Sequence, residues 1–246
     1  MARTLRVLEA FSFAEPVLGV SELARKLGIG KSTAHRALST LLEAGYVSKT
    51  ADGRYRLGLK LHELGQLVVS GLRLHEVAIP PLERLRQASS ETVHLAVLDG
   101  IDVVYIDRFE SEGLSPMLKR VGRRMPVHVT SSGKCLVAFA DPGVVDAVLA
   151  AGLRRMGSRT ITSKNLFIET LQHVRTDGYA VSVEESEPGV ASVGAPVFGR
   201  DGSCIAAVSM VGPATRMRDD YLTRSIRQVR RCAFEISKGM GHVLRP

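Results

Sequence analysis

The first 58 residues of this 246-residue chain place their helix and turn signals in one order, which constrains the fold more than any other feature. Helical spacing of apolar residues predicts a helix over about 4–13, then a short helix that ends at Gly28. A Gly-Ile-Gly turn leads into a longer helix over 32–44, and two short strands joined by Asp52-Gly53 follow it. This order predicts a winged helix-turn-helix domain.

The longest of these helices has two unlike faces. Its apolar residues form one stripe for burial, which comprises Ala34, Leu38, Leu41 and Leu42. Ser21 and Ser32 are the predicted N-caps of the second and third helices. The opposite face carries hydroxyls and cations: Lys31, Ser32, Thr33, His35, Arg36, Ser39 and Thr40. Such groups can bind phosphates and base edges, so this face is predicted to enter a major groove of DNA; a merely solvated face is the alternative.

The hairpin and the charge distribution support the same interpretation. Residues 1–58 hold nine Lys and Arg against five Asp and Glu, so half of the net charge of +8 lies in about a quarter of the chain. Clustered positive charge suits a polyanion. Lys49, Arg54 and Arg56 of the hairpin are predicted to contact phosphate or the minor groove, although Arg56 could instead fold over the helical bundle.

A second domain follows a predicted connecting helix. Pro80-Pro81 punctuates the chain after this connector. Beyond it, strand-like and helical segments are mixed, which indicates a domain of the α/β or α+β class. The predicted strands cover about 91–99, 101–109, 179–183, 190–198 and 204–211, and the predicted helices cover about 132–140, 142–151, 166–176 and 219–240.

Motifs in both halves resemble the IclR family of bacterial regulators. The N-terminal ones are SELARKLGIGKSTAHRALSTLLEAGYV and DGRYRLG. The C-terminal ones are ETVHLAVLDGIDVVYIDR, VGRRMPVHVTSSGKCLVAFA, GYAVSVEESEPGV and APVFGRDGSCIAAVSMVGP. The likeness extends from about Thr4 to Ser237.

The resemblance implies an α+β chain in three parts. These are a winged helix-turn-helix over 1–58, a linker helix over 59–75, and a GAF/PAS-like α/β effector-binding and oligomerisation domain over 76–246. It also implies a homodimer, or a homotetramer, on a palindromic operator in double-stranded DNA. The implied effector is a small molecule, commonly an organic acid or an aromatic-pathway compound, and the linker helix is the candidate for coupling effector binding to DNA binding.

The resemblance also places the effector pocket on six residues: Ser131, Ser132, Ser182, Ser192, Ser209 and Val211. Two of them depart from the family pattern, since Ser182 stands where Asp is frequent and Val211 where a hydroxyl is expected. Several serines near an apolar strand make a neutral, hydrogen-bonding lining that suits a carboxylate or a hydroxylated ring. Small residues packed at turns are the alternative.

Cysteines and histidines give no strong sign of metal or redox chemistry. Cys135, Cys204 and Cys232 are far apart and are predicted to be buried thiols. His94 and His128 could meet near Cys135 at a metal ion, but hydrogen-bonded core histidines are the simpler interpretation. No cofactor and no metal are therefore predicted.

Catalysis and membrane association are not expected. Ser132-Gly133-Lys134 lacks a nucleophile elbow, and the acidic cluster of Glu184, Glu185 and Glu187 is predicted to be an exposed loop, with ligand positioning as the alternative. No apolar run approaches the roughly 18 residues that a membrane span needs, so a soluble, cytoplasmic protein without a membrane partner is expected. Two alternatives to a ligand-responsive regulator are an architectural DNA-binding protein and an enzyme with a DNA-binding head.

Overall fold

The computed structural model describes residues 2–70, 73–110 and 124–243, and the chain divides into two compact units, Met1–Leu72 and Arg73–Pro246. Residues 71 and 72 of the predicted linker helix, and 121–123 of the VGRRMPVH stretch, lie outside the described residues. Within the described ranges, no helix is both long enough and apolar enough to cross a membrane.

The first unit is a winged helix-turn-helix followed by one further helix. A three-stranded antiparallel sheet, in the order β1-β3-β2, forms the wing beside three helices. The elements are α1 (Ala2–Glu9), β1 (Val17–Leu18), α2 (Val20–Leu27), α3 (Lys31–Glu43), β2 (Val47–Lys49), β3 (Tyr55–Leu57) and α4 (Leu59–Ser70). Strand β1 was not predicted, because two residues are too few to show an alternating pattern.

The predicted serine caps of α2 and α3 are wrong. The N-cap of α2 is Gly19 and not Ser21, because the Oε2 atom of Glu22 accepts a hydrogen bond from the Gly19 amide at 2.7 Å. The N-cap of α3 is Gly30, so Ser32 lies in the first turn and is exposed. Glycine in an extended conformation can fill a cap position without a side-chain oxygen. Ser32 is thereby left available on the surface.

The apolar stripe of α3 is confirmed. Ala34, Leu38 and Leu41 are buried, and Leu42 packs against the same core from a half-buried position. Their partners come from the other helices and from the wing, and they include Val7, Leu23, Val47 and Tyr55. The predicted first helix is shorter than expected, since α1 ends at Glu9 and a backbone turn closed between Ser12 and Glu15 follows.

The second unit is a six-stranded antiparallel sheet with helices on both faces. The strand order is β6-β5-β4-β9-β8-β7. Its strands are β4 (Thr92–Asp99), β5 (Asp102–Phe109), β6 (Arg124–Pro126), β7 (Ala180–Val183), β8 (Val190–Phe198) and β9 (Cys204–Pro213). Its helices are α5 (Arg73–Ser89), α6 (Ser131–Ala138), α7 (Pro142–Ala151), α8 (Lys164–Asp177) and α9 (Asp219–Gly239), and a 3₁₀ turn covers Val127–Val129.

The predicted interruption at Pro80-Pro81 is wrong, because α5 runs through both prolines. Proline inside a helix removes backbone hydrogen bonds, which weakens the helix by itself. Here Ala78, Leu82 and Leu85 are buried against the sheet and against α9, and this packing holds the helix together. Tertiary burial therefore outweighs the local signal.

Helix α6 approaches the sheet more closely than a side chain would allow. A Cβ on Gly194 of β8 would lie 2.9 Å from the carbonyl carbon of Ser131, and one on Gly133 would lie 2.3 Å from the Val127 oxygen. The Nζ atom of Lys134 then donates to Glu185 Oε1 at 2.5 Å and to the carbonyl of Val181 at 3.0 Å. These contacts fix the start of α6 above the strands.

We predict that Gly194→Ala destabilises the second unit by about 1–3 kcal/mol, because the new methyl group forces α6 away from β8. Gly143→Ala is the matched control, since a Cβ there meets nothing within 4 Å and alanine favours helix α7. Urea unfolding of the full chain measures both changes. Equal stability of the two variants would contradict this account of how α6 is seated.

Candidate DNA-binding face and effector cavity

Helix α3 presents its polar face to solvent. The exposed residues are Lys31, Ser32, His35, Arg36, Ser39 and Thr40, and Thr33 is half-buried. Because Ala34 and Leu38 fix the opposite side in the core, the backbone of the helix is held while these side chains stay available. An anchored helix with hydroxyls and cations on its free side has the surface that a recognition helix needs.

Two of the three predicted wing cations are also exposed. The Nζ atom of Lys49 stands 5.4 Å from the centre of the Tyr55 ring. Arg56 is exposed, and its Nε donates to the hydroxyl of Ser48 on the neighbouring strand at 3.2 Å. Arg56 thus lies on the surface of the wing rather than over the bundle, and its remaining guanidinium N–H groups can reach an anion.

Arg54 has a different environment from its two neighbours. Its Nη2 donates to the carbonyl of Val17 at 3.0 Å and to Glu22 Oε2 at 2.7 Å. The amide of Gly19 and the guanidinium of Arg54 lower the pKa of Glu22. Arg54 thereby joins the wing to α2, so its first role is to position the wing; a phosphate contact stays a prediction.

A small cavity lies next to the start of α6 in the second unit. Its lining in the described part of the chain combines hydroxyls, one imidazole and apolar groups: His94, Tyr105, Met125, Val129, Thr130, Ser186, Val190, Ser192, Ser209 and Val211. The rings of His94 and Tyr105 pack with their centroids 4.7 Å apart. Such a lining can hold a small, partly apolar molecule that offers hydrogen-bonding groups.

The structure brings three of the six predicted effector residues to the cavity wall. These are Ser192, Ser209 and Val211, and the β-ladder explains why they meet. Ser192 on β8 pairs with Val211 on β9. Ser209 lies two residues before Val211 and therefore on the same face of β9.

The other three predicted residues are buried around the cavity. The hydroxyl of Ser131 donates to that of Ser192 at 2.8 Å, and Ser182 donates to the carbonyl of Val129 at 3.0 Å. The hydroxyl of Ser132 is buried without a hydrogen-bond partner among the described residues. Ser131 and Ser182 thus support lining residues, and none of the three lines the cavity itself.

Ser209 is the lining residue that most clearly lacks a partner. Its side chain is 1% exposed, and its Oγ makes no hydrogen bond within the described ranges. A buried hydroxyl without a partner costs about 1–3 kcal/mol. Across the cavity, Thr130 caps α6 by accepting from the amide of Gly133 at 3.0 Å, so the amide-rich N-terminal end of the helix also faces this region.

The sequence motifs did not assign seven of the lining residues to the pocket: His94, Tyr105, Met125, Val129, Thr130, Ser186 and Val190. His94 is opposite Ser209 in the register of β4 and β9, and Tyr105 lies on β5 beyond an irregularity in its pairing with β4. Registers between strands far apart in sequence follow from packing. The alternation of residue types over 92–99 predicts a strand with two faces, but it does not show which residue of that strand is opposite Ser209.

The histidines and cysteines have structural surroundings. His128 Nε2 lies 3.0 Å from the carbonyl oxygen of Arg154, and burial lowers the pKa of His128. Cys135 is fully buried, and burial raises the pKa of its thiol well above the ordinary value. In the ranges described, no three His, Cys, Asp or Glu side chains gather as metal ligands.

The prediction of an exposed acidic loop is wrong for Glu185. This residue is buried, and burial is also the main cause that raises the pKa of Glu185 and lowers that of Lys134. The two groups form an ion pair inside the protein. Glu185 therefore anchors α6 instead of facing solvent.

A winged helix-turn-helix joined to a unit with its own polar cavity defines the class of DNA-binding regulators that respond to small molecules. Residues 1–51 match the model of the IclR helix-turn-helix domain, and residues 66–238 match that of the bacterial transcriptional regulator IclR C-terminal domain. The chain belongs to the IclR family. It is a transcriptional regulator with a DNA-binding N-terminal domain and an effector-binding C-terminal domain, as the motifs predict.

Relatives match over nearly the whole chain. The HTH-type transcriptional regulator XynR of Escherichia coli is 32% identical over 98% of this chain and 96% of its own length. KdgR of the same organism is 34% identical over 93% of this chain and 88% of its own length. A solved IclR homolog from Microbacterium hydrocarbonoxydans, complexed with 4-hydroxybenzoate, is 32% identical, covers 97% of this chain and 98% of its own, and has a TM-score of 0.88.

We predict opposite behaviour for two neighbouring wing arginines. Arg54→Ala lowers the melting temperature of the protein, because it removes the bridge from the wing to α2. Arg56→Ala leaves the melting temperature unchanged and flattens the salt dependence of DNA binding, because an exposed cation is removed.

The pH dependence separates the two roles further. The Glu22 carboxylate has a lowered pKa, so its pairing with Arg54 is present at neutral pH and is lost as the pH falls through that lowered pKa. The difference in melting temperature between wild type and Arg54→Ala should therefore shrink in acid. A difference that stays constant down to the acid range would argue against the bridge.

Proposed function

We propose that the exposed face of α3 reads operator DNA in the major groove while Lys49 and Arg56 of the wing contact phosphates. The observation that carries this proposal is the polar, exposed face of a helix whose opposite side is fixed by Ala34 and Leu38. Lys31 and Ser32 lie in the first turn, where backbone amides and the helix dipole favour phosphate. His35 and Arg36 follow at the centre of the exposed face and are the candidates for base contacts.

A second copy of the chain completes the proposed complex. Leu64 and Leu67 are three residues apart on α4 and are exposed, although both are large and apolar. Burial of these leucines against another copy would remove them from water. A two-fold dimer places two α3 helices in successive major grooves and explains recognition of a palindromic operator.

The proposed effector is a small organic acid bound in the cavity beside α6. None of the ten lining residues in the described ranges is acidic, so a carboxylate meets no like charge on these walls. The hydroxyl of Ser209, which has no partner within the described residues, can donate to a carboxylate oxygen, and the N-terminal end of α6 favours negative charge. The solved relative is complexed with 4-hydroxybenzoate, which is a small organic acid, and this supports the proposal.

Binding of this acid is proposed to change operator affinity. Such coupling between two sites typically amounts to about 1–3 kcal/mol. The competing architectural hypothesis requires a C-terminal domain that only oligomerises. The buried Ser209 hydroxyl lines the cavity and finds no partner among the residues that the structure describes, which favours the ligand-responsive function.

We predict that Arg36→Ala weakens binding by about 1–3 kcal/mol to duplexes that the wild-type protein selects from a random pool, because a bidentate contact to guanine is lost. The selected sequence should also relax at one base pair per half-site. Fluorescence anisotropy measures the affinities, and Arg86→Ala, which breaks an ion pair on α5, is the control. An equal loss on every duplex would show that Arg36 contacts phosphate and reads no base.

We predict that 4-hydroxybenzoate raises the melting temperature of the wild-type protein, because a ligand that binds only the folded state stabilises it. Ser209→Ala should weaken this binding by about 1–3 kcal/mol, since a hydrogen bond to a charged group is lost. Thr170→Ala, at a half-buried position of α8 outside the cavity lining, is the control. Calorimetric titrations that give the same affinity for Ser209→Ala and the wild type would remove Ser209 from the site.

A further inference from the structure

One cation of the second unit is buried on the face of the sheet that forms the cavity. The Arg108 side chain, on β5, is 2% exposed. Its Nη1 lies 2.9 Å from Glu110 Oε1, but the Glu110 side chain is half exposed. The Nε and Nη2 atoms are both buried and have no hydrogen-bond partner among the described residues. Two of the three guanidinium nitrogens are thus left without an acceptor in the described part of the chain.

The strand register places Arg108 in the same row as two lining residues. His94 is directly opposite Arg108 on one side and directly opposite Ser209 on the other. Residues that are opposite each other in neighbouring strands lie on the same face of a sheet. Because neighbouring strands are spaced by roughly 5 Å, the Arg108 and Ser209 backbones are about 10 Å apart, with His94 between them.

This arrangement is costly for the free protein. Burial lowers the pKa of Arg108, although guanidinium stays charged at neutral pH. A buried charge that is only partly paired destabilises the fold. The N–H groups on Nε and Nη2 of a guanidinium lie in one plane, and their spacing matches the two oxygens of a carboxylate.

We propose that Arg108 binds a second carboxylate of the effector, at the end opposite the carboxylate held by Ser209 and α6. The effector is then a small dicarboxylate that spans the row from Ser209 to Arg108 across the His94 and Tyr105 rings. This inference rests on the proposed function, because it assumes that the first carboxylate occupies the cavity. It adds the chemical class of the effector and the residue that selects it.

The test compares two acids that differ in one carboxylate, benzoate and benzene-1,4-dicarboxylate. The wild-type protein should bind the dicarboxylate about 10- to 100-fold more tightly, as a hydrogen bond to a charged group allows. Arg108→Met should abolish this preference and leave benzoate affinity nearly unchanged. Arg108→Lys keeps the positive charge but loses the paired N–H donors of guanidinium, so it should retain part of the preference for the dicarboxylate. Arg231→Met, on the exposed side of α9, is the control and should change neither affinity.

Stability without ligand gives a second readout, one that distinguishes ligand binding from a structural role. Arg108→Met should be at least as stable as the wild type, because it removes a poorly paired buried charge and keeps the volume. An unchanged preference for the dicarboxylate in Arg108→Met overturns the proposal, whatever the stability of the variant. If neither acid binds the wild type, the carboxylate assignment of the cavity itself fails, and this inference fails with it.

Discussion

The close contact between α6 and the sheet is the constraint on which the effector domain depends. Gly194 and Gly133 have no side chain, and only for that reason can the start of α6 lie against β8 and the 3₁₀ turn. Ser131 in the first turn is then placed beside Ser192, and Thr130 at the N-cap lines the cavity. The cavity lies beside this N-terminal end of α6, so the packing of the helix positions the wall residues Thr130 and Ser192.

Buried polar groups in this domain divide into two kinds. Some are fully paired: Glu91 is completely buried and accepts from Arg216 at 2.7 and 2.8 Å and from Tyr221 at 2.9 Å. The ammonium group of Lys134 is likewise paired, with Glu185 Oε1 and the carbonyl of Val181, whereas Glu185 Oε2 has no partner in the described ranges. Ser209 and Arg108 are buried too, but each keeps hydrogen-bonding atoms without an acceptor or donor in the described ranges. The first kind holds the fold together, whereas the second kind is available to a ligand, as the proposed function requires.

Local signals in the sequence predict local structure well and distant neighbours poorly. Gly28 ends α2 in a left-handed conformation as expected, and β8 has the predicted bounds of Val190–Phe198. The Pro80-Pro81 signal failed because burial of Leu82 outweighs the lost backbone hydrogen bonds. Tyr105 could not be placed, because an irregular pairing between β4 and β5 decides which way its side chain faces.

The site residues show the same division. Ser192 and Ser209 were found through family likeness, whereas Arg108 lies within the likewise family-like stretch ETVHLAVLDGIDVVYIDR without any motif role to single it out. Arg108 is singled out by the burial of its side chain and by its position opposite His94, and neither can be predicted from the order of residues. Arg54 is the converse case, since the hairpin pattern assigns it to DNA while its distance to Glu22 assigns it to the fold.

The two ligands of this protein are both anionic in the function proposed, but the chain would bind them by different physical means. The cations on α3 and the wing are exposed, and exposed charges attract phosphates over a range that salt shortens to about 8 Å at physiological ionic strength. The groups around the cavity are desolvated, and salt screens buried interactions much less. Ionic strength therefore acts on operator binding and leaves effector binding largely alone. A regulator built in this way can respond to a metabolite at any salt concentration at which it still holds its operator.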